Sequence, residues 1–219
     1  MKLKINAIIP AGGASSRFGT KNKLLEKIDG KEVIKYTVET FEHSEIDEII
    51  ICANPTIIDD LKKIFEKSTK VRIIQGGVTR QESVFNGLKA SGCDYVLIHD
   101  AARPIITVDL INQTIEMVKD KNAMTVVTKT IDTIKEVEND KIIRTIDRAK
   151  LYNTQTPQAF KYELIKNAHE RLEDMNFTDD AGMLESLGES VYVLLGSYKN
   201  FKITTQDDIK IAKIYLSEL

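Results

Sequence analysis

Short apolar runs alternate with amphipathic stretches along this chain, and this alternation constrains the fold more than any other feature. Each run is rich in β-branched residues and nearly continuous in apolarity, which is typical of strands covered on both faces of a parallel sheet. The intervening stretches space their apolar residues three and four apart, as amphipathic helices do. The runs are Ala7-Ile8-Ile9, Ile49-Ile50-Ile51-Cys52, Val71-Arg72-Ile73-Ile74, Tyr95-Val96-Leu97-Ile98 and Met124-Thr125-Val126-Val127. Strands and helices in alternation predict a three-layer α/β fold with a mostly parallel sheet.

The alternation breaks after Thr128. Residues 132–137 and 141–146 alternate polar and apolar side chains around a turn at Glu138-Asn139-Asp140, which predicts a β-hairpin. Because a lone two-stranded hairpin is marginal in water, we expect this β-arm, at about residues 131–150, to pack on something, a second copy of the chain being one candidate. Helices are predicted again near 162–174, near 179–187 and from about 206, with a strand at 191–195. No linker is evident, so residues 1–219 are predicted to form one domain.

Charge and hydropathy exclude several classes of protein. Lys and Arg number 31 against 33 Asp and Glu, a formal net charge of −2. A general nucleic-acid binder carries a basic excess, so we expect no nucleic-acid partner and only local anion sites. No apolar run approaches the ~20 residues that cross a bilayer, and no signal-peptide pattern is present. The chain is therefore predicted to be cytoplasmic, without a membrane partner, and to keep Cys52 and Cys93 as reduced thiols.

A glycine-rich segment follows the first predicted strand. It runs from Pro10 through Ala11, Gly12 and Gly13 to Arg17 and Gly19, and Lys23 follows. Small residues let the backbone approach a ligand, and its N–H groups can then face phosphate oxygens. Neither GxGxxG nor the Walker A pattern is present, which disfavours a dinucleotide-dependent oxidoreductase. The segment predicts a phosphate loop of another design, the alternative being an ordinary glycine-rich turn with exposed basic residues.

Further polar clusters end the third and fourth predicted strands, at the sheet edge where α/β proteins bind ligands. Gly76 and Gly77 permit close approach, and Ser83 can offer a hydroxyl to a base or ribose, although a plain strand-to-helix turn is the alternative. Asp100 can support Mg²⁺ or its waters, or can form a structural ion pair with Arg103. Later in the chain stand Arg148, Gln155-Thr156-Pro157-Gln158, and Lys202, which taken alone is typical of a solvated strand residue.

Together these segments resemble the 2-C-methyl-D-erythritol 4-phosphate cytidylyltransferases of the non-mevalonate isoprenoid pathway. The resemblance is collinear and covers nearly the whole chain. Lys23 is aligned by the Leu24-Leu25 that follows it, because the entry loop is about one residue shorter than the family pattern. The matching pieces are Ala11-Gly12-Gly13 with Arg17 and Lys23, Gly76-Gly77 with residues 79–84, His99-Asp100-Ala101-Ala102-Arg103-Pro104, residues 132–135, Arg148, Gln155-Thr156-Pro157-Gln158, Thr178-Asp179-Asp180-Ala181 and residues 200–204.

The resemblance implies a Rossmann-like nucleotidyltransferase domain that transfers CMP from CTP to 2-C-methyl-D-erythritol 4-phosphate and releases pyrophosphate. It implies a homodimer through the β-arm, and Mg²⁺ held mainly by the CTP phosphates with Asp100 as a weak ligand. Arg17 and Lys23 would stabilise charge on the triphosphate, and Arg148 and Lys202 would hold the acceptor phosphate. Residues implied to bind CTP are Pro10, Ala11, Gly12, Gly13, Gly76, Gly77, Ser83, Asp100 and Ala101. Further residues implied to bind the acceptor are Arg103, Thr156 and, from the partner's arm, Thr133.

Two other functions remain open on sequence alone. A ribitol 5-phosphate cytidylyltransferase resembles this family closely, although Arg80-Gln81-Glu82-Ser83 and Thr178-Asp179-Asp180-Ala181 favour the methylerythritol branch. A non-catalytic nucleotide-binding module on the same fold would more easily have lost one of the four basic residues at 17, 23, 148 and 202. Side-by-side turnover of the two acceptors separates the first alternative, and pyrophosphate release separates the second.

Overall fold

Eleven strands are present in the part of the chain that the computed structural model describes, residues 2–13, 18 and 22–218. Seven of them form the central sheet, and the other four form two short hairpins. In chain order the strands are β1 (Ile5–Ala11), β2 (Lys27–Ile28), β3 (Lys31–Glu32), β4 (Glu48–Ala53), β5 (Val71–Gln75), β6 (Tyr95–Ile98), β7 (Ala123–Lys129), β8 (Ile134–Glu138), β9 (Lys141–Ile146), β10 (Tyr152–Lys161) and β11 (Tyr192–Leu195).

Seven α-helices connect these strands within the described residues. They are α1 (Val33–Glu42), α2 (Ile58–Ile64), α3 (Arg80–Ala90), α4 (Val108–Lys121), α5 (Tyr162–Arg171), α6 (Asp180–Ser186) and α7 (Gln206–Leu216). Four of the helices begin at a side-chain cap that accepts a backbone N–H: Thr79, Thr107, Asp179 and Thr205. Such caps satisfy N–H groups that the first helical turn leaves without partners. None of the described helices is long and apolar enough to cross a membrane.

The central sheet has the strand order β11-β7-β10-β6-β1-β4-β5. Every neighbouring pair is parallel except the two that involve β10, which runs antiparallel to both β6 and β7. The predicted mostly parallel α/β sheet is thereby confirmed. Since β1, β4, β5 and β6 all run in one direction, their carboxyl ends meet at one edge, where the glycine-rich segments begin.

The hydrophobic core has two halves, one on each face of the sheet. Ile9 and Ile51 pack on one face with α1 and α4, and their neighbours Ile8 and Ile50 pack on the other face with α3 and α5. Alternate residues of one strand point to opposite faces, so a strand buried on both faces is apolar wherever its buried side chains have no hydrogen-bond partner. This is the physical reason for the uninterrupted apolar runs, and the predicted three-layer arrangement is confirmed.

The predicted hairpin is confirmed as β8 and β9, which pair with each other in a separate two-stranded sheet. Asn139 and Asp140 form its turn with positive φ angles of 48° and 61°, a conformation that suits a two-residue hairpin turn and that Asn and Asp tolerate. Four apolar side chains on this β-arm are more than half exposed: Ile131, Val137, Ile142 and Ile143.

One element differs from the prediction. We predicted no strand between the β-arm and α5, yet β10 occupies ten residues there and lies inside the sheet. Its pairing with β7 shifts register between Thr154 and Gln158, and this irregularity surrounds Pro157. Proline lacks a ladder donor and is tolerated at such irregularities. The sequence around Pro157 therefore gave no indication of this strand.

Candidate active site

A cavity of about 260 Å³ opens at the carboxyl edge of the sheet. The loop after β1 forms one wall, and the turn after β6 forms the opposite one. We call it the glycine cavity. Its lining residues are Pro10, Ala11, Gly12, Gly13, Phe18, Lys23, Leu24, Arg80, Asp100, Ala101, Ala102, Lys202 and Thr204. Six residues predicted from the sequence to bind CTP are among them.

A second depression, of about 500 Å³, adjoins the first. We call it the side groove. It is lined by Arg80, Asp100, Arg103, Thr154, Gln155, Thr156, Gln158, Thr178, Asp179, Gly182, Glu185 and Lys202. Only Arg80, Asp100 and Lys202 appear in both lists. Two ligands bound side by side in these spaces would therefore meet at these three side chains.

The Ser83 side chain lies against both glycine segments, the loop after β1 and the Gly76-Gly77 turn. It is fully buried, accepts the N–H of Gly77 at 3.0 Å and donates its hydroxyl to the Thr79 carbonyl at 2.8 Å. A Cβ added at Gly12 would stand 2.6 Å from the Ser83 hydroxyl oxygen, so the loop after β1 needs glycine there. Ser83 lines neither space within the described residues, and its direct contact with a nucleotide stays a prediction.

Asp100 is the charged centre of the shared wall. Its carboxylate lies 2.9 Å from Nζ of Lys202, 3.2 Å from Nε of Arg80 and 3.6 Å from Nε of Arg103. Burial disfavours the ionised carboxylate, but Arg80, Lys202 and Arg103 outweigh burial and hold the pKa of Asp100 well below its usual range. The Asp100–Arg103 ion pair left open by the sequence is thus present, within a larger cluster.

Arg80 bridges two carboxylates, a role that the sequence analysis did not assign. Nη1 of Arg80 lies 2.8 Å from Asp180, whose other oxygen is 3.1 Å from Nε2 of His169. Burial opposes the charge of Arg80, but Asp180 and Asp100 prevail and raise its pKa. In the sequence, this role of Arg80 was indicated only by its position directly after the Thr79 cap and three residues after Gly77.

Lys23 and Lys202 reach the cavity from distant parts of the chain. Lys23 donates its ammonium to the carbonyl of Ile203 at 2.8 Å, next to Lys202 in sequence. One short segment thus positions both cations. Two ammonium groups facing one cavity favour a ligand with phosphate groups.

Arg103 and Thr156 lie in the side groove, as predicted for acceptor-binding residues. Arg103 is buried and donates Nη1 to the carbonyl of Asn200 at 2.8 Å. Asn200 in turn donates its amide to the carbonyl of Thr156 at 2.9 Å. The groove wall is therefore a hydrogen-bonded frame made from three separate segments.

Arg148 is not brought into this cluster. Arg148 is exposed in a short 3-10 turn, Arg148–Lys150, and donates to the carbonyl of Ile131. Thr133 is exposed on the β-arm, and neither residue lines the glycine cavity or the side groove. Arg17 lies outside the described residues. Of the four predicted cations, the structure brings Lys23 and Lys202 together, and the roles of Arg17 and Arg148 stay predictions.

The described residues contain no group of three or more His, Cys, Asp or Glu side chains arranged to hold a metal ion. Asp100 lines the glycine cavity as a single carboxylate that already faces three cations. Mg²⁺ commonly binds through one or two carboxylates together with substrate phosphates. The site thus fits a metal ion carried mainly by phosphates, with at most one ligand from Asp100.

The fold and the site define a class of protein. A parallel α/β sheet, a glycine loop at its carboxyl edge and a pair of ammonium groups beside an adjoining groove are the features of a nucleotide-dependent group-transfer enzyme. Residues 5–218 match the model of one such family, described as IspD, 2-C-methyl-D-erythritol 4-phosphate cytidylyltransferase. The chain belongs to this family, and it is therefore a nucleotidyltransferase.

Curated relatives agree with the family match. The chain is 39% identical over 221 residues to the 2-C-methyl-D-erythritol 4-phosphate cytidylyltransferase of Clostridioides difficile, covering 97% of this chain and 93% of the relative. It is also 39% identical over 224 residues to the enzyme of the same name from Halalkalibacterium halodurans, covering 99% and 98%.

Solved structures agree as well. The 4-diphosphocytidyl-2C-methyl-D-erythritol synthase of Anaerococcus prevotii superposes with a TM-score of 0.88 at 35% identity, covering 98% of this chain and 96% of that chain. The 2-C-methyl-D-erythritol 4-phosphate cytidylyltransferase of Thermus thermophilus superposes with a TM-score of 0.83 at 27% identity, and each chain is fully covered. These names support the methylerythritol prediction and give no support to the ribitol alternative.

Proposed function

We propose that this chain transfers CMP from CTP to 2-C-methyl-D-erythritol 4-phosphate, forming 4-diphosphocytidyl-2-C-methyl-D-erythritol and pyrophosphate, with the transfer taking place at the wall shared by the glycine cavity and the side groove. The proposed location of the transfer rests on one observation. Arg80, Asp100 and Lys202 line both spaces, and the reaction requires the α-phosphate of one substrate to touch the phosphate of the other.

CTP occupies the glycine cavity in this proposal. Backbone N–H groups of the loop after β1 face its phosphates, and Ala101 together with the Gly76-Gly77 segment borders the nucleoside. The acceptor lies in the side groove against Arg103 and Thr156. This arrangement places Lys23 on the nucleotide side and Lys202 between the two substrates.

The chemistry is one displacement at phosphorus. A phosphate oxygen of the acceptor attacks the α-phosphorus of CTP, the bond from that phosphorus to the bridging oxygen breaks, and pyrophosphate leaves with the electron pair. The nucleophile is already an anion, so no residue has to remove a proton. Two anions must approach each other, so the protein contributes mainly position and positive charge. Lys23 and Lys202 supply that charge, and Lys202 is held in place by Asp100 at 2.9 Å.

Mg²⁺ belongs to the proposal as an ion carried by the nucleotide. When bound, it neutralises charge on the phosphates, with Asp100 as its one candidate protein ligand. The residues of the chain serve to orient the triphosphate, and Arg80 and Arg103 offset the carboxylate charge of Asp100.

The β-arm provides the proposed contact with a second copy of the chain. Its apolar side chains are exposed, and it pairs only with itself among the described strands. Arg148 and Thr133 stand on this arm or at its base, so a partner's arm laid over the side groove would deliver them to the acceptor. We further propose that residues 1–219 act as one catalytic domain, and that it works in the cytoplasm. The free thiols of Cys52 and Cys93 support that compartment.

The test is a panel of nucleoside triphosphates and acceptor phosphates read by pyrophosphate release. We expect turnover with CTP and 2-C-methyl-D-erythritol 4-phosphate, and little with ATP, GTP or UTP. Ribitol 5-phosphate is the matched acceptor control. Faster turnover with ribitol 5-phosphate would reject the proposed acceptor, and no pyrophosphate release with any pair would reject catalysis.

A further inference from the structure

His99 stands directly before Asp100 at the end of β6 and is fully buried. Both of its ring nitrogens have polar partners. Nε2 lies 3.3 Å from the carbonyl oxygen of Arg103, and Nδ1 lies 3.0 Å from the hydroxyl oxygen of Thr156. The same hydroxyl accepts the backbone N–H of Asp100 at 3.1 Å. The imidazole thus connects three residues that line the side groove.

These partners determine which nitrogen carries the proton. A carbonyl oxygen can only accept, so Nε2 of His99 must be the donor toward Arg103. A neutral imidazole has one donor and one acceptor, so Nδ1 accepts the hydroxyl proton of Thr156. With Nε2 as the donor and Nδ1 as the acceptor, the imidazole is neutral.

The connection closes into a ring of contacts around the groove. Arg103 donates to the carbonyl of Asn200, and Asn200 donates to the carbonyl of Thr156. Lys202 follows two residues after Asn200 and pairs with Asp100. His99 is the member of this ring that joins the end of β6 to β10 by side-chain bonds.

We propose that His99 is a positioning residue for the transfer reaction: as the Nε2–H tautomer it holds Thr156 and Arg103 where they shape the acceptor side of the site. This inference rests on the proposed function. The same tautomer also determines which hydrogen bonds the Thr156 hydroxyl donates and accepts. Its single proton goes to His99 and one lone pair goes to the N–H of Asp100, so one lone pair is left. Thr156 therefore accepts from a hydroxyl group of the polyol and does not donate to its phosphate.

The tautomer is tested on the unmodified protein. Long-range ¹⁵N–¹H correlation spectra of isotope-labelled enzyme at pH 7 should show a protonated Nε2 and an unprotonated Nδ1 for His99, assigned by through-bond correlations from its own backbone amide to the ring. A protonated Nδ1 would overturn the inference, and this measurement decides it even where a variant fails to fold.

Function is tested with variants that keep or remove the acceptor atom. His99→Asn places an amide oxygen near the position of Nδ1, whereas His99→Phe keeps a ring against Phe41 but offers no acceptor. A buried hydroxyl that loses its partner costs roughly 1–3 kcal/mol, which converts to about 5- to 150-fold. We expect His99→Phe to raise the acceptor KM by about that factor, with the Kd for CTP nearly unchanged by calorimetry. We expect His99→Asn to recover most of the loss.

A double-mutant cycle adds a readout that general destabilisation would not produce. Because Thr156→Val removes the hydroxyl that His99 positions, the double variant His99→Phe/Thr156→Val should lose little more than Thr156→Val alone. Losses that multiply, or a folded His99→Phe enzyme with a normal acceptor KM, would reject the inference. An unmodified enzyme that fails to use the acceptor would instead reject the proposed function, while the spectra still report the tautomer.

Discussion

Lys202 is the residue whose charge the proposed reaction uses most directly, since it lines both the glycine cavity and the side groove. Lys202→Met keeps the length of the side chain and removes its charge. We expect kcat to fall about 10²–10³-fold, the usual loss for one fixed electrostatic donor, with a melting temperature close to that of the unmodified protein. Pyrophosphate release and calorimetry measure the two quantities.

The matched control is Lys199→Met, three residues earlier on the same segment. Lys199 pairs with Glu218 on the surface and lines neither space. The Lys199→Met variant should keep full turnover. Equal losses in the two variants would mean that the segment tolerates no change of charge, and the catalytic assignment of Lys202 would fail.

His99 also makes a prediction about acid stability. Its pKa is about 3 in the folded protein because it is buried, against about 6.5 in an unfolded chain. Between these values the unfolded state binds more protons, so the free energy of unfolding falls as the pH drops from about 6.5 toward 3, by up to ~1.4 kcal/mol per pH unit. Urea unfolding of the unmodified protein and His99→Asn at pH 7, 5.5 and 4.5 measures this slope.

The His99→Asn variant should show a shallower decline with falling pH than the unmodified protein. His43→Asn removes an exposed histidine and serves as the control. If all three proteins lose stability in parallel, the slope comes from other groups and His99 is not the buried proton acceptor.

At the scale of elements, α3 lies unusually close to the centre of the sheet, and Gly87 permits that approach. A Cβ at this position would stand 2.7 Å from Cγ2 of Ile8 and 2.9 Å from Sγ of Cys52. Alanine normally stabilises a helix by about 1 kcal/mol over glycine, but overpacking a core costs about 1–3 kcal/mol. We expect Gly87→Ala to be destabilising by up to about 2 kcal/mol net in urea unfolding.

Gly92→Ala is the matched exchange for that measurement. Gly92 lies in the exposed connection before β6, and an added Cβ would meet nothing within 4 Å. It should leave stability nearly unchanged. A stabilised Gly87→Ala protein would show that α3 can move away from Ile8 without loss of packing.

β10 is a central strand that the sequence did not predict. The strands β1, β4, β6 and β7 were predictable because burial on both faces favours nearly continuous apolarity. β10 is equally central, yet Gln155, Thr156 and Gln158 are polar and buried. Their side chains bond to neighbouring segments, for example Gln158 to Asp179 at 2.7 Å. A strand that serves the site with polar groups carries no apolar signal, and Pro157 argues against a strand as well.

At the scale of the molecule, one part of the candidate site was predictable from the sequence and another part was not. The grouping of Gly12, Gly76 and Asp100 follows from parallel strands that end at one edge, so it was predictable. The double pairing of Arg80 with Asp100 and Asp180 depends on where the start of α6 places Asp180 relative to the start of α3, and no pattern in the sequence specifies that. Thr133 and Arg148 do not line the side groove of the described chain, and under the proposed function they would reach it from the β-arm of a second chain.

The exposed β-arm predicts that two copies of this chain associate. Val137 and Ile142 lie opposite each other in the β8–β9 ladder, and both are more than half exposed. Burying such a pair against another copy would contribute roughly 1.5–3 kcal/mol per side chain. We expect the unmodified protein to be a dimer by sedimentation, and Ile142→Lys to shift it toward monomers.

The same variant separates assembly from nucleotide binding. Because the glycine cavity is built within one chain, Ile142→Lys should bind CTP normally by calorimetry. If a partner's arm brings Arg148 to the acceptor, Ile142→Lys and Arg148→Ala should both raise the acceptor KM. Ile214→Lys, at another exposed apolar position on α7, controls for added charge. A monomeric unmodified enzyme with full turnover would show that each chain works alone, and a rise in the Kd for CTP alone in Arg148→Ala would place that arginine at the nucleotide instead.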